Sequence, residues 1–287
     1  GRFASVPRRA LVIVQFTVSV MLIICTGVIY NQLMFVKDRP VGYERDGLIL
    51  VPKKSNAFNA KVDALKAELI ASGAVSEIAE AGGSVTQVWS NNSGFTQNGR
   101  SLDKDQGFAT LGVSHDYGKT VGWEFIEGRD FSKEIASDSA GFVINEAAAK
   151  FMEIDNPSGQ TIHWKNGPWN VDSDFRILGV IKDMVMGSPF EPVKPTVYFT
   201  MGWKQWLLLR VPPNVPVRDA LPKIEKVFTQ VIPDIPFDYK FANVEYNAKF
   251  KTEERIGKLA AIFATLAIII SCLGLFGLAS FIAEQRT

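Results

Sequence analysis

Ala10 to Tyr30 reads ALVIVQFTVSVMLIICTGVIY, and Leu259 to Ile282 reads LAAIFATLAIIISCLGLFGLASFI. Neither run carries a charged residue. A helix needs roughly 20 apolar residues to cross a bilayer, and both runs meet that length. Two spans put both chain ends on one side of a membrane and the whole middle segment on the other. The lipid bilayer is therefore the first expected partner, and most soluble-enzyme readings fall away.

Arg8-Arg9 ahead of the first run also fits the start of a secretory signal. The run is longer than a usual signal core, and no small-x-small cleavage site closes it, so it reads as an uncleaved span. Arg2, Arg8 and Arg9 favour a cytoplasmic start under the positive-inside rule. Lys37 and Arg39, and then Lys249, Lys251, Arg255 and Lys258, lie at the other ends of the two runs, so charge counting is mixed. The stop at Thr287, close behind a span, reads as the end of a fragment.

Net charge is +1 with both signs interspersed, and the aromatics are not set among Arg and Lys, so nucleic acid is not an expected partner. Cys25 and Cys272 both lie in the apolar runs, which leaves the middle without an internal disulfide. Asn91-Asn92-Ser93 matches a glycosylation sequon but reads as a polar turn.

The middle reads as mixed α and β. Gly47–Val51 is a short strand. Phe58, Val62, Leu65 and Leu69 recur at helical spacing, with Gly73 as the residue that ends the helix. Val75–Ala79, Val85–Trp89, the Phe108–Val113 stretch, Phe175–Ile181, Thr196–Phe199 and Trp206–Val211 read as strands. Asn91–Gly99 reads as a turn or hairpin tip, and Gly118–Arg129 as irregular. Asn145 can cap a short helix carrying Ala148, Phe151 and Met152. Asp219 can cap a helix built on Leu221, Ile224, Phe228 and Val231, with Pro222 in its first turn. Pro189, Pro192 and Pro195 imply a rigid loop. The elements at 47–79 and 206–239 form two halves of one strand–helix–strand subdomain, interrupted by a mostly β insertion at about 115–200. Lys251–Lys258 is charged and helix-compatible, so the second span is expected to project beyond the bilayer as a stalk.

No GxxxxGK[ST] loop and no GxGxxG after a strand is present. His115 and His163 are far apart and lack paired cysteines, so no zinc site is expected. Gly82-Gly83-Ser84 is not a nucleophile elbow. Asp172/Asp174 and Glu253/Glu254 are expected to face solvent. No catalytic, cofactor-binding or metal-ligating residue is assigned. Trp123, Phe125, Trp164, Trp169 and Trp203 are weighed as a substrate surface and read instead as packing. In the second span Ala260, Ala264, Ala267, Ser271 and Gly274, extended by Gly277, set small residues along one face, which lets another helix approach closely.

The residues also carry a family resemblance. Glu254-Arg255, a span ending Gly274-Leu275-Phe276-Gly277-Leu278-Ala279, and then Ala283-Glu284-Gln285-Arg286-Thr287 resemble the helix before the coupling segment of FtsX-like ABC transporter permeases. Arg9-Ala10-Leu11-Val12 with Gln15-Phe16-Thr17-Val18-Ser19 resembles the first span of the second half of the long bacterial members. Gly122–Ser132, Val143–Ala148 and Ile177–Asp183 resemble the MacB-type periplasmic core domain.

The resemblance implies an α+β extracytoplasmic domain, residues 31–258, flanked by transmembrane α-helices at 10–30 and 259–282 and by cytoplasmic flanks at 1–9 and 283–287. It implies an inner-membrane, multi-pass permease that hydrolyses no ATP itself. The implied partners are an ABC-type ATPase subunit, other permease helices or a second permease half, and other extracytoplasmic proteins. The family continues past Thr287 into a basic coupling helix, so this segment by itself is not expected to engage the ATPase. In the family, Gly128-Arg129-Asp130-Phe131 and Asn145-Glu146 are structural. The rival reading is a membrane-anchored sensor, with two spans flanking a ligand-binding domain. A secreted hydrolase held by anchors is disfavoured by the missing catalytic set.

Overall fold

The structure is a computed structural model that describes residues 2–103 and 107–284. Gly1 and the segment 285–287, which holds Arg286 and the end of the family-like Ala283–Thr287 run, lie outside the described residues. The chain divides into two compact units, residues 40–247 and the two terminal segments 1–39 and 248–287.

The terminal unit is a helix pair. Helix α1 spans Arg2–Asp38 and α7, the last helix of the chain, spans Lys251–Glu284. At 1.5 Å per residue these are about 55 and about 51 Å long, well beyond the ~30 Å hydrocarbon thickness of a bilayer. The charged stretch Lys251–Lys258 continues without a break into the apolar run, as a stalk requires.

In the middle unit, strand β1 (Leu48–Pro52) leads to α2 (Asn56–Ala71) and β2 (Glu77–Ala81). Ser55 caps α2, its hydroxyl accepting from the Phe58 N–H at 3.3 Å. Gly73 follows the helix at φ +66°, the left-handed turn expected of it. Far along the chain come β12 (Trp206–Arg210), α5 (Val217–Val231), the two-residue β13 (Lys240–Phe241) and α6 (Ala242–Ala248).

These distant halves form one sheet in the order β13-β1-β12-β2. Its pairs are all antiparallel, with Leu48 opposite Arg210 and Trp206 opposite Ala81. Strand alternation sends Ile49, Val51, Leu207 and Leu209 into a core with Phe58, Leu65 and Leu69 of α2 and Ile224 and Phe228 of α5. Phe58 and Phe228 meet with centroids 5.9 Å apart. The expected strand–helix–strand subdomain is thus present, with β2 two residues later than the sequence places it.

Between its halves lies a second, nine-stranded sheet. It contains β3 (Asn91–Asn92), β4 (Phe95–Gln97), β5 (Arg100–Ser101), β6 (Phe108–Gly112), β7 (Phe125–Gly128), β8 (Gly141–Asn145), β9 (Thr161–Asn166), β10 (Val171–Ile181) and β11 (Thr196–Phe199). The order is β3-β6-β11-β8-β10-β9-β4-β5, with β7 on β10. Helix α4 (Glu146–Met152) covers an aromatic core of Phe95, Phe108, Phe142, Trp164, Phe175 and Phe199. A bridge between Ala81 and Val113 joins the two sheets.

Four expectations need correction. The sheet recruits strands from Asn91 onward, earlier than residue 115. Val85–Trp89 is not a strand, because its Thr86 hydroxyl, with that of Ser84, is bound to Glu245 at 2.7 and 3.1 Å. Gly118–Arg129 is not irregular. It holds α3 (Tyr117–Val121), ended by Gly122 at φ +75°, and then β7. Asp219 does not cap α5, which starts one turn earlier after Pro216, so Pro222 falls inside the helix.

Candidate functional site

Three structural features bear on function: the helix pair, the anchored turn around Arg129, and a cleft in the middle unit.

Among the covered positions of α1, which also include Phe16, Val36 and Lys37, Val12, Gln15, Ser19, Leu22, Thr26, Ile29 and Leu33 recur. That alternation of three and four is a coiled-coil seam. On the apolar part of α7 the covered positions include Ala260, Ala264, Ala267, Ser271 and Gly274, the small-residue face read from sequence, and Gly257 precedes them on the same face. Gly277 lies off it, with nothing near a Cβ added there. Ser19 and Ser271 hydroxyls meet at 2.9 Å, Gln15 reaches Gly274, and Lys37 pairs with Glu254, so the helices run antiparallel. Glu254 thus pairs rather than simply facing solvent.

A Ser19→Cys/Ser271→Cys variant, with Cys25 and Cys272 replaced by alanine, is expected to form a disulfide in membranes under mild oxidation. Gly274→Leu should cut its yield severalfold by wedging the seam apart. Equal cross-linking with and without the leucine would rule out this register.

Arg129 grips Asp138 through two bonds, at 2.5 and 2.8 Å, and the Ser132 N–H adds a third at 2.9 Å. The Arg129 hydrogen bonds hold the Asp138 carboxyl below its usual range against the effect of burial. Gly128 sits at φ +74°, and a Cβ there would lie 2.2 Å from the Leu178 carbonyl oxygen. The turn admits only glycine. Asn145 caps α4 through Ala148 at 2.9 Å and also accepts from the Thr196 N–H at 2.8 Å.

Asp130 in the same turn is pushed up to about 6, because burial outweighs the bond from the Phe131 N–H and the charge of Lys119. The unfolded carboxyl stays near 3.9, so the native state holds a proton that the unfolded state releases between those values. Stability therefore falls as pH rises from about 4 to about 6. Asp130→Asn keeps the acceptor and removes the titration. It is expected to stabilise the full chain by about 1–2 kcal/mol above pH 7 and by almost nothing near pH 4. Thermal unfolding at the two pH values checks this, and an equal gain at both would count against it.

Of the five weighed aromatics, four pack. Trp164 is fully buried, stacked 5.1 Å from Phe95. Trp123 stands edge-on to Tyr198 at 4.9 Å and donates to the Met184 sulfur, and Phe125 lies against it. Trp169 meets Phe199 at 5.6 Å. Trp203 alone of the five is largely exposed, at 86%. It lines a cleft of about 890 Å³ together with Trp89, Trp206, Lys53, Glu80 and Lys204. Sequence reasoning gave no weight to Trp89 or to these lysines. The signal available to it was the Gly-Trp-Lys turn at 202–204.

In this cleft Glu80 takes hydrogen bonds from both Lys53 and Lys66. Burial pushes the Glu80 carboxyl up, but these bonds and charges outweigh it and hold the carboxyl below the usual range. Outside the cleft, Asp172 and Asp174 do face solvent and flank His163 at 3.0 and 2.9 Å. No group of three or more metal-ligating side chains occurs among the described residues.

A family model described as the MacB-like periplasmic core domain matches residues 10–227. This chain belongs to that family. The match starts in α1 and ends in α5, so it takes in the nine-stranded sheet and every strand of the four-stranded sheet except β13. MacB-like core domains of this kind are parts of ABC-transporter-type permeases, and the two terminal helices fit membrane anchoring.

Among solved structures, the chain resembles the periplasmic region of MacB from Actinobacillus actinomycetemcomitans at 13% identity and a TM-score of 0.49. That match covers 74% of this chain and 96% of the other. It also resembles a domain of a protein assigned as a permease in Porphyromonas gingivalis, at 14% identity and a TM-score of 0.39, covering 68% and 87%. No curated relative matches the sequence.

Proposed function

We propose that this MacB-like chain is a permease segment of an ABC transporter that carries motion from a partner ATPase to a domain outside the inner membrane. In this reading α1 and α7 cross the bilayer, and the middle unit lies on the extracytoplasmic side. The observation that carries it is the unbroken α7. Its charged first turns, Lys251–Lys258, continue without a break into an apolar run, which supports a rod that passes from a polar compartment into lipid.

The seam uses one face of each helix and leaves apolar side chains such as Leu11, Ile24, Phe263 and Phe276 exposed on the others. Those faces suit lipid and the helices of a second permease half. Force transmission needs packed helices and a rigid domain rather than catalytic side chains, so ATP hydrolysis belongs to the partner subunit.

The test is to express the complete protein with its chromosomal neighbours, purify it from membranes and assay ATP hydrolysis. Recovery of a stoichiometric P-loop ATPase is the expected result. Absence of any ATPase, with signalling output on ligand binding instead, would replace the permease reading with the sensor.

A further inference from the structure

We propose that the cleft lined by Trp89, Trp203 and Lys204 binds a small amphipathic anion, its apolar body on the two indoles and its carboxylate or phosphate at Lys204. The proposal does not depend on ATPase coupling. The Trp89 indole is seated on a glycine, and Trp203 stands exposed across the cleft from it. A Cβ at Gly83 would lie 1.9 Å from the Trp89 ring, so that ring rests on bare backbone, and it also meets the Trp206 ring with centroids 6.0 Å apart. Gly202, at φ +84°, seats the turn before Trp203 against the Trp169 ring, where a Cβ would come within 2.5 Å. The cleft is thus lined by one seated indole, Trp89, and one exposed indole, Trp203. Its volume, about 890 Å³, falls within the range of small-molecule sites.

Charge selects the ligand's sign. Lys53, Lys66 and Lys204 gather around one carboxylate, Glu80, and Lys54 at the rim is neutralised by Asp238. The Lys53 side chain is only 5% exposed, so this charge is poorly screened by water. Lys204 donates to the carbonyls of Thr200 at 2.8 Å and Gly202 at 3.4 Å. No carboxylate pairs with it among the described residues. An ammonium has three donors, so one remains for an incoming anion. Burial, reinforced by Lys53 and Lys66 and opposed by Glu80, lowers the basicity of Lys204, and an anionic head would reverse that cost. An amphipathic cation would meet the same surplus of positive charge and be repelled.

The full chain, labelled with 5-fluorotryptophan and held in nanodiscs of zwitterionic lipid, can be titrated by fluorine NMR with octanoate, octyltrimethylammonium and acetate. Octanoate is expected to shift the Trp89 and Trp203 resonances saturably and leave Trp164 unmoved. The ammonium and acetate should shift neither. Lys204→Met and Trp203→Ala should each weaken octanoate about tenfold. Trp203 is so exposed that its replacement keeps the fold even if the lysine variant does not. Equal shifts with the ammonium, non-saturating shifts, or unchanged affinity in Trp203→Ala would overturn the proposal.

Discussion

Trp164→Ala is expected to lower the thermal midpoint of the full chain in detergent by about 10 °C. Trp164 lies at the centre of the nine-stranded sheet's core and is fully buried. It stacks on Phe95 with an interplanar angle of 5° and touches Phe142, Phe175 and Phe199 at 6.0, 6.0 and 5.2 Å. With Trp169 at 6.3 Å, five rings surround this one indole and cannot all move inward to fill its space. Truncating a buried Trp costs about 3–5 kcal/mol when the site cannot collapse. For a domain of this size each kcal/mol is worth about 2–4 °C. The indole N–H also donates to the Ser93 carbonyl at 3.1 Å and so ties the loop before β4 to β9. Trp164→Phe keeps a ring but loses that bond, and should cost about a third as much. The other five tryptophans lie in the same unit and report the transition. A shift below 3 °C would mean that the aromatic core is not the cooperative centre of this sheet.

Trp164 also marks what the sequence discloses. Its neighbour Phe175 opens the strand Phe175–Ile181 that the pattern gives, whereas the partner strand Thr161–Asn166, which carries Trp164 itself, is not read from the sequence. The helix built on Phe58, Val62, Leu65 and Leu69, with its stop at Gly73, is legible from local signals, while its cap at Ser55 emerges only from the structure. Local pattern fails where distant groups decide. Val85–Trp89 has strand-like residues, yet Glu245, some 160 positions away in sequence, binds the Ser84 and Thr86 hydroxyls and holds the segment out of either sheet. The glycines of 118–128 look like disruption, but Gly122 ends a helix and Gly128 closes a strand against β10. The small-residue face of α7 was legible because helix packing in lipid imposes a period. The aromatic cleft was not, because its walls come from four separated segments of chain.

The second large effect is expected at Arg210, a charged residue in the middle of a sheet that is only 6% exposed. Alternation on β12 turns Leu207 and Leu209 toward α2 and α5 and sends Arg210 to the opposite face. There its guanidinium donates to three main-chain carbonyls, Thr120 at 2.8 Å, Asp46 at 2.8 Å and Glu44 at 2.9 Å. Thr120 belongs to α3, inside the inserted segment, while Asp46 and Glu44 lead into β1. One side chain therefore fastens the insertion to the four-stranded sheet. Burial lowers the basicity of Arg210, with Glu44 and Asp46 offsetting part of the effect. The Glu44 carboxylate stands 3.8 Å away and is largely exposed, so it contributes little compared with the carbonyls. Arg210→Met retains the apolar stem but leaves three acceptors without their donor. At about 1–3 kcal/mol for each buried group left unsatisfied, partly relieved by water, the expected loss is about 3–5 kcal/mol. Arg210→Lys keeps the charge but lacks the planar fork that reaches three carbonyls together, and should recover less than half of the loss. Proteolysis distinguishes this from a general weakening. If Arg210 fastens the insertion, the methionine variant should be cut near 114–124 before the four-stranded sheet unfolds. Simultaneous loss of all protection would show instead that both sheets unfold as one.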